Sequence, residues 1–297
     1  MRRYSAQMRW WLLLVVVGLV MSGCTNDPVE PDGATTTTTA DAPATSTTTP
    51  SITDACVSGD LAFGEDGLIA AIGDVESDAT SLSQIRWERG TSCERIVISF
   101  AADSGAPATT LGLTGVSVIA FAGVIRVDLP EEVTTTAVAD TATDGLVSRT
   151  YVVRDGEDLS VDIHGAPDTP IAARAFLTTS PASLVIDVIA VDDLPDPVGA
   201  SIDETAVVIT PPPGSTLYPF AVEGYVEPGA VSVHILVSNN NVAGVNLTIA
   251  LDGATDAWQA VSTRIDDGPG GQSVLFVGDV DGNDAPLIGV EVPLDLP

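Results

Sequence analysis

The histidines are the first residues to weigh for chemistry, and the chain has only two, His164 and His234. A catalytic zinc ion usually takes three protein ligands, and these two histidines fall in separate predicted domains. Serine and aspartate are abundant, but no nucleophile elbow surrounds a serine. His164 ends a predicted strand, where a hydrogen-bonded structural role is favoured over that of a base. The sequence therefore predicts no catalytic residue, no cofactor and no enzyme.

An acidic segment near the C-terminus, GDVDGNDAP at 278–286, is the nearest match to a calcium loop. Asp279, Asp281 and Asn283 have the alternating spacing that hard cations prefer. However, Asp284 replaces the glycine of the sixth position, and Val290 stands where a bidentate glutamate would be needed. The pattern favours a solvated Asp-Gly hairpin turn over a metal site.

The charge of the chain is strongly negative. All 41 acidic residues follow Cys24. Only eight arginines and no lysine follow it, so a chain that begins at Cys24 has a formal net charge of −33. Binding to nucleic acid depends on neutralisation of phosphates by lysine and arginine. A nucleic-acid function is therefore excluded, and the acidic excess indicates solubility in a saline setting or, as an alternative, loose binding of divalent cations.

The N-terminus has the layout of a secretory signal: a basic start, MRRYSAQMRW, and then the apolar run WLLLVVVGLVM. This run is too short to be a comfortable membrane span, which takes roughly 20 residues. The following MSGC at 21–24 resembles the lipobox of bacterial lipoproteins. That resemblance implies a signal peptide over 1–23 and a lipidated Cys24 that anchors the protein to the extracellular face of the cell membrane. The alternative is an ordinary secreted protein.

Residues 24–55, which follow the signal, consist mainly of threonine, proline, alanine, serine and aspartate. Such a segment cannot recover its ordering entropy by burial, so we expect a disordered linker. With Cys24 assigned to the lipid, Cys56 and Cys93 form an even pair in an exported protein, which predicts a disulfide. It would close a loop of about 37 residues and contribute about 3 to 4 kcal/mol; the alternative is two buried free thiols.

The region 56–195 contains seven runs rich in β-branched residues between turn signals, which predicts an all-β sandwich. In the run RIVISF the residues Ile96, Ile98 and Phe100 alternate and would share one face. The runs are QIRW at 84–87, RIVISFA at 95–101, VSVIAFAGVIRVDL at 116–129, LVSRTYVVRD at 146–155, LSVDIHG at 159–165, AARAFLTT at 172–179 and SLVIDVIAV at 183–191.

Two segments of this region, CERIVISF and GEDLSVDIHGAPDTPIAARAFLTTSPASLVIDVIAV, resemble the AMIN-like domain of actinobacterial envelope proteins. Residues 95–100 match its early strand, 162–164 its central strand and 184–187 its late strand. The resemblance implies a β-sandwich that binds without catalysis in the envelope, typically at peptidoglycan. Arg95 and Asp187 are candidates for ligand binding, although an ion pair across neighbouring strands is favoured.

A proline-containing linker over 196–204 leads to the region 205–297, where seven strands in about 90 residues indicate an immunoglobulin-like sandwich. Its opening, with Pro211–Gly214, Pro219, Val222 and Gly224, resembles the immunoglobulin-like domain of bacterial sporulation and germination proteins, which implies an adhesion or spacer module. Further on, an ideal strand pattern places four residues on one face, Val231, Val233, Ile235 and Val237.

Together these observations predict a non-catalytic, membrane-anchored envelope lipoprotein with two β-sandwich domains, whose AMIN-like domain binds peptidoglycan or another wall component. The alternative is an adhesion or scaffold module that binds an envelope protein. Scarce aromatic residues, 5% of the chain, weigh against a sugar-stacking surface. A hidden hydrolase is the third and least favoured interpretation.

Overall fold

The computed structural model describes Cys56, residues 61–239 and residues 242–297, all of which belong to one compact unit. Within these residues the fold is all-β, as predicted, with a single 3₁₀ turn at Ala120–Ala122. None of the described residues belongs to a helix that could cross a bilayer. The predicted signal peptide, Cys24 and the linker 24–55 lie outside the described residues.

The described residues form twenty strands, and many of them coincide with the runs of β-branched residues in the sequence. In chain order they are β1 (Gly67–Ile72), β2 (Ser81–Arg89), β3 (Glu94–Ala101), β4 (Thr114–Ile119), β5 (Val124–Asp128), β6 (Thr134–Thr135), β7 (Asp140–Ala142), β8 (Val147–Asp155), β9 (Asp158–Gly165), β10 (Ile171–Thr178), β11 (Ser183–Ala190), β12 (Ser201–Ile202), β13 (Ala206–Thr210), β14 (Gly214–Ser215), β15 (Phe220–Val226), β16 (Ser232–Asn239), β17 (Val242–Ala250), β18 (Trp258–Ile265), β19 (Gly271–Val280) and β20 (Pro286–Leu296).

The strands form three sheets, and the longest is shared by two sandwiches. This ten-stranded sheet has the order β1-β4-β5-β9-β8-β18-β15-β13-β12, with β7 paired to β8. A five-stranded sheet, β10-β11-β3-β2-β6, packs on its first half, and another, β14-β20-β19-β16-β17, packs on its second half. In each sandwich, therefore, one half of the long sheet packs against a five-stranded sheet.

The first sandwich has the core that strand alternation predicts. Ile96, Ile98 and Phe100 are all buried on one face of β3. The run 116–129 is not one strand: it turns at Gly123, whose φ of 63° is a left-handed conformation that glycine adopts without a steric penalty. The turn lets β4 and β5 pair as an antiparallel hairpin.

The second sandwich has its own core, with Val233, Ile235 and Val237 buried as predicted. The prediction for Val231 was wrong, because β16 begins one residue later and the side chain of Val231 is 70% exposed. Leu236, on the opposite face of the strand, is buried as well. Burial on both faces near the middle of β16 shows that part of its outer face is also covered.

A third cluster of buried residues joins the two sandwiches. It draws Tyr151 and Val153 from β8, Val207 and Tyr225 from the second sandwich, and Trp258 from the start of β18. The predicted linker 196–204 adds the short strand β12 to the edge of the long sheet. Each predicted domain thus has a core of its own, while the sheet continues through both; the boundary itself stays a prediction.

The predicted disulfide is present: Cys56 and Cys93 are bonded, with their Cα atoms 6.1 Å apart. Both residues are buried, and Cys93 directly precedes β3. The bond therefore ties the start of the described chain to the five-stranded sheet of the first sandwich.

Candidate binding cleft between the two sandwiches

The junction of the sandwiches holds a buried aromatic cluster of four residues, Tyr151, His164, Tyr225 and Trp258, from four different strands. The ring of Tyr151 lies at the centre, 4.9 Å from Trp258, 5.0 Å from His164 and 5.1 Å from Tyr225. A hydrogen bond joins His164 Nε2 to the Tyr225 hydroxyl, and the Trp258 indole donates to Asp140 Oδ2 at 3.1 Å. The packing of these rings holds the two sandwiches together.

Burial keeps this cluster neutral. It lowers the pKa of His164 to about 4, against an opposing effect of the nearby Asp162 carboxylate. The same cause raises the pKa of Tyr151 to about 12 and that of Tyr225 well above its usual value. A buried, neutral histidine bonded to a phenol agrees with the structural role that the sequence favours, and the ring is too enclosed to meet a substrate.

An open cleft begins where the two sandwiches separate. Strands β8 and β18 run parallel and pair only at Trp258↔Val153 and Gln259↔Arg154. Strand β8 ends at Asp155, whereas β18 continues to Ile265. The space beyond the end of β8 is a cleft of about 550 Å³, bounded by β5 and the β8–β9 hairpin on one side and by β15 and β18 on the other.

The cleft is lined by acidic side chains. Five carboxylates face it: Asp128, Glu131, Asp155, Asp158 and Glu223. Arg126 also lines it, but its guanidinium group is held by the buried Asp162, with Nε to Oδ1 at 2.9 Å and Nη2 to Oδ2 at 2.7 Å. The cleft is therefore a region of negative potential that attracts cations.

The pKa of Asp128 is raised by its position in the cleft. It is raised chiefly by burial, and the neighbouring Asp162 and Asp158 raise it further, while Arg126 acts in the opposite direction. A cationic group bound near Asp128 would relieve this repulsion.

The sequence singled out none of these five carboxylates. For four of them the only signal was a position at strand ends and turns, in VDLPEE and RDGED, which is also the usual place of solvated acids. The pairing of β8 with β18 brings Glu223 to the others from far along the chain, and no local pattern encodes that pairing.

Arg95 and Asp187, the other candidates, form the favoured ion pair away from the cleft. Asp187 is fully buried and lies opposite Arg95 on one side and Arg174 on the other. Arg95 donates to it at 2.7 and 3.0 Å, and Arg174 at 2.9 and 3.1 Å. The hydrogen bond to Asp187 raises the pKa of Arg95. The register of the β10–β11 hairpin could have revealed Arg174, since that hairpin pairs it directly with Asp187.

Residues 281–285 of the acidic segment form the predicted hairpin turn between β19 and β20. Asp281 Oδ1 accepts hydrogen bonds from the backbone N–H of Asn283 at 2.7 Å and of Ala285 at 3.0 Å, and these bonds lower the pKa of Asp281. Asp279 lies on β19, outside the turn. In the part of the chain that the structure describes, no group of three histidine, cysteine or acidic residues could hold a metal ion.

The described residues offer little surface for stacking sugars. Phe121, 44% exposed, is the one exposed aromatic side chain among them. Trp87 is partly buried and donates to Glu94 Oε2 at 3.0 Å, and Arg89 covers its ring at 4.8 Å from the centroid. Trp258 is buried in the aromatic cluster.

Comparisons of this chain with models of known protein families, with curated proteins and with solved structures found no match.

Proposed function

We propose that this protein is a non-catalytic, lipid-anchored protein of the cell envelope that binds a wall component, peptidoglycan, in the cleft between its two sandwiches. The observation that carries the proposal is the cleft itself, which combines an opening of about 550 Å³ with five carboxylates. Peptides of the wall carry amino groups, which carboxylates attract. The resemblance of the first sandwich to the AMIN-like domain supports the same kind of ligand.

The surroundings of His164 and Asp187 support a binding role over a catalytic one. His164 is enclosed by aromatic rings, and Asp187 is enclosed by two arginines. The contacts of both side chains hold the fold together. The cleft in turn is lined by five carboxylates together with apolar and hydroxyl side chains, and the carboxylates suit the recognition of a cationic ligand.

A wall-binding experiment tests the proposal. We expect the soluble fragment 56–297 to co-sediment with purified cell wall, and the bound fraction to fall as salt is raised, because screening weakens attraction between exposed charges. Asp158→Asn combined with Glu223→Gln should reduce the bound fraction several-fold. The matched control is Glu291→Gln with Asp295→Asn, which removes the same charge from the exposed side of β20. A fragment that stays in the supernatant at every salt and calcium concentration would refute wall binding.

The anchor is tested separately in cells. Cys24→Ala should move the protein from the membrane fraction to the soluble extracellular fraction, because the proposed lipid is attached at that thiol. Cys93→Ala serves as a control, since it removes a cysteine of the disulfide and leaves Cys24 in place. A Cys24→Ala protein that stays with the membrane would contradict lipid anchoring.

The second candidate function is a scaffold that binds an envelope protein. It is favoured by the scarcity of exposed aromatic side chains in the described residues, since glycan binding usually relies on such rings. Crosslinking in living cells would then capture a protein, while the purified wall would bring down nothing.

A further inference from the structure

Part of β18 is an open strand edge inside the cleft. On one side β18 pairs with β15 from Gln259↔Val226 to the end of the strand at Ile265↔Phe220. On the other side its ladder with β8 stops at Gln259. From residue 260 onward the far side of β18 therefore has no neighbouring strand in the described chain.

The direction of the backbone groups on this edge follows from the ladder. The N–H of Glu227 donates to Thr205 O on the β13 side of β15. Because successive residues of a strand direct their backbone groups to opposite sides, the N–H and C=O of Val226 point to β18. Val226 pairs with Gln259, and alternate residues of an antiparallel strand face opposite neighbours. Ser262 and Arg264 must then direct their N–H and C=O groups away from β15, and Ser262 lines the cleft. Both residues are exposed.

Two other strand edges in the described residues are contacted by neighbouring segments. The segment at Gly64 lies along β10, with its N–H donating to Ala173 O at 2.8 Å and its O accepting from Ala173 N at 2.9 Å. The edge of β17 is approached by Pro269, whose Cδ lies 2.4 Å from where a Cβ on Gly244 would be. An open edge with unpaired backbone groups is a template for the addition of another strand.

The surroundings of this edge determine the charge of a strand that could bind there. Asp155 and Asp158 flank the tip of the β8–β9 hairpin, where β8 ends and an added strand would continue alongside β18. Glu223 lies opposite Ser262 on β15. The positive charge of Arg264 is already paired with Asp266, with Nε to Oδ1 at 2.9 Å. The site therefore complements a cationic strand.

We propose that the edge of β18 at Ser262 and Arg264 binds an extended, cationic segment of a protein partner as an added β-strand, with its lysine or arginine side chains near Asp155, Asp158 and Glu223. The inference rests on the cleft being the ligand site and names the partner chemistry for the second candidate function. Backbone hydrogen bonds supply the docking, and the carboxylates select the charge.

A peptide titration tests this without altering the protein. The probe is a fluorescein-labelled peptide of alternating lysine and valine, seven residues long, added to the full chain in neutral detergent micelles and followed by fluorescence anisotropy. Strand addition uses the amides of every second residue. N-methylation of one alternate set should therefore weaken binding about tenfold or more, whereas methylation of the other set should change it by less than about threefold. A peptide with glutamate in place of lysine should show no saturable binding.

Protein variants separate charge from strand pairing. Asp158→Asn with Glu223→Gln should weaken binding of the lysine peptide about tenfold, and Glu291→Gln with Asp295→Asn should leave it within about twofold. Ser262→Pro removes an N–H that faces the cleft and leaves the ladder with β15 in place, so it should abolish binding while the thermal unfolding transition is retained.

Two results would overturn the inference. Equal binding of both N-methylated peptides would show attraction by charge alone, and equal binding of the glutamate peptide would show that the carboxylates do not select the ligand. Co-sedimentation with the cell wall is measured independently of peptide binding. Peptide binding without wall binding would leave the strand site in place and remove the wall function, whereas wall binding without peptide binding would do the opposite.

Discussion

Replacing Asp187 by asparagine should lower the free energy of unfolding by about 3 to 5 kcal/mol, because it removes one partner of a buried ion pair. The Asp187 side chain is fully buried between Arg95 and Arg174, which are only 17% and 5% exposed. Arg174 would keep its bonds to the Cys56 and Leu61 carbonyls but lose its two charge-assisted hydrogen bonds to the Asp187 carboxylate. Urea denaturation of the fragment 56–297, followed by tryptophan fluorescence, measures the change.

The matched control for Asp187 is Asp266→Asn. It breaks the pair with Arg264, in which both side chains are mostly exposed, and should cost less than about 1 kcal/mol. Arg95→Met should fall between the two variants, since Asp187 would keep Arg174. Equal losses for Asp187→Asn and Asp266→Asn would contradict the view that burial gives this ion cluster its importance.

The stability of the aromatic cluster should depend on pH through His164. Its folded-state pKa of about 4 lies below the unfolded value of 6.5, so the unfolded state binds more protons between these values. The stability that the neutral His164 gives the folded protein is therefore complete above pH 6.5 and is lost as the pH falls towards 4. The shift of about 2.5 pKa units corresponds to about 3 kcal/mol.

The control for this pH dependence is His164→Gln, which removes the titrating ring and can still bond to the Tyr225 hydroxyl. Free energies of unfolding are measured for both proteins from pH 7 to pH 4. The advantage of the wild-type protein should shrink over this interval by about 3 kcal/mol. Carboxylates common to both proteins cancel in the difference. A constant difference across the interval would mean that His164 does not stay neutral in the folded protein.

The covered aromatic rings and the open acidic cleft are two consequences of one junction. The two residue pairs between β8 and β18 hold the sandwiches close enough for Tyr151, Tyr225 and Trp258 to pack. Immediately beyond those pairs the strands no longer meet, and the cleft begins. Disrupting the aromatic cluster should therefore also disturb the geometry of the proposed ligand site.

The sequence by itself determined the class of the fold and its local pairs. Alternation of Ile96, Ile98 and Phe100 predicts a strand with one buried face, because side chains alternate across a strand. The count of cysteines predicts the bond between Cys56 and Cys93, and the absence of helical periodicity predicts an all-β fold. These features depend on residue type and on short spacing, which a sequence displays directly.

Only the tertiary structure decided which residues meet at the junction. Trp258 lies beside Tyr151, and Glu223 lies across the cleft from Asp158, although each pair is distant in the chain. The parallel pairing of β8 with β18 brings them together, and it depends on the packing of both sandwiches. Strand alternation states which way a side chain points, but the neighbour of a strand is chosen by the free energy of the whole fold.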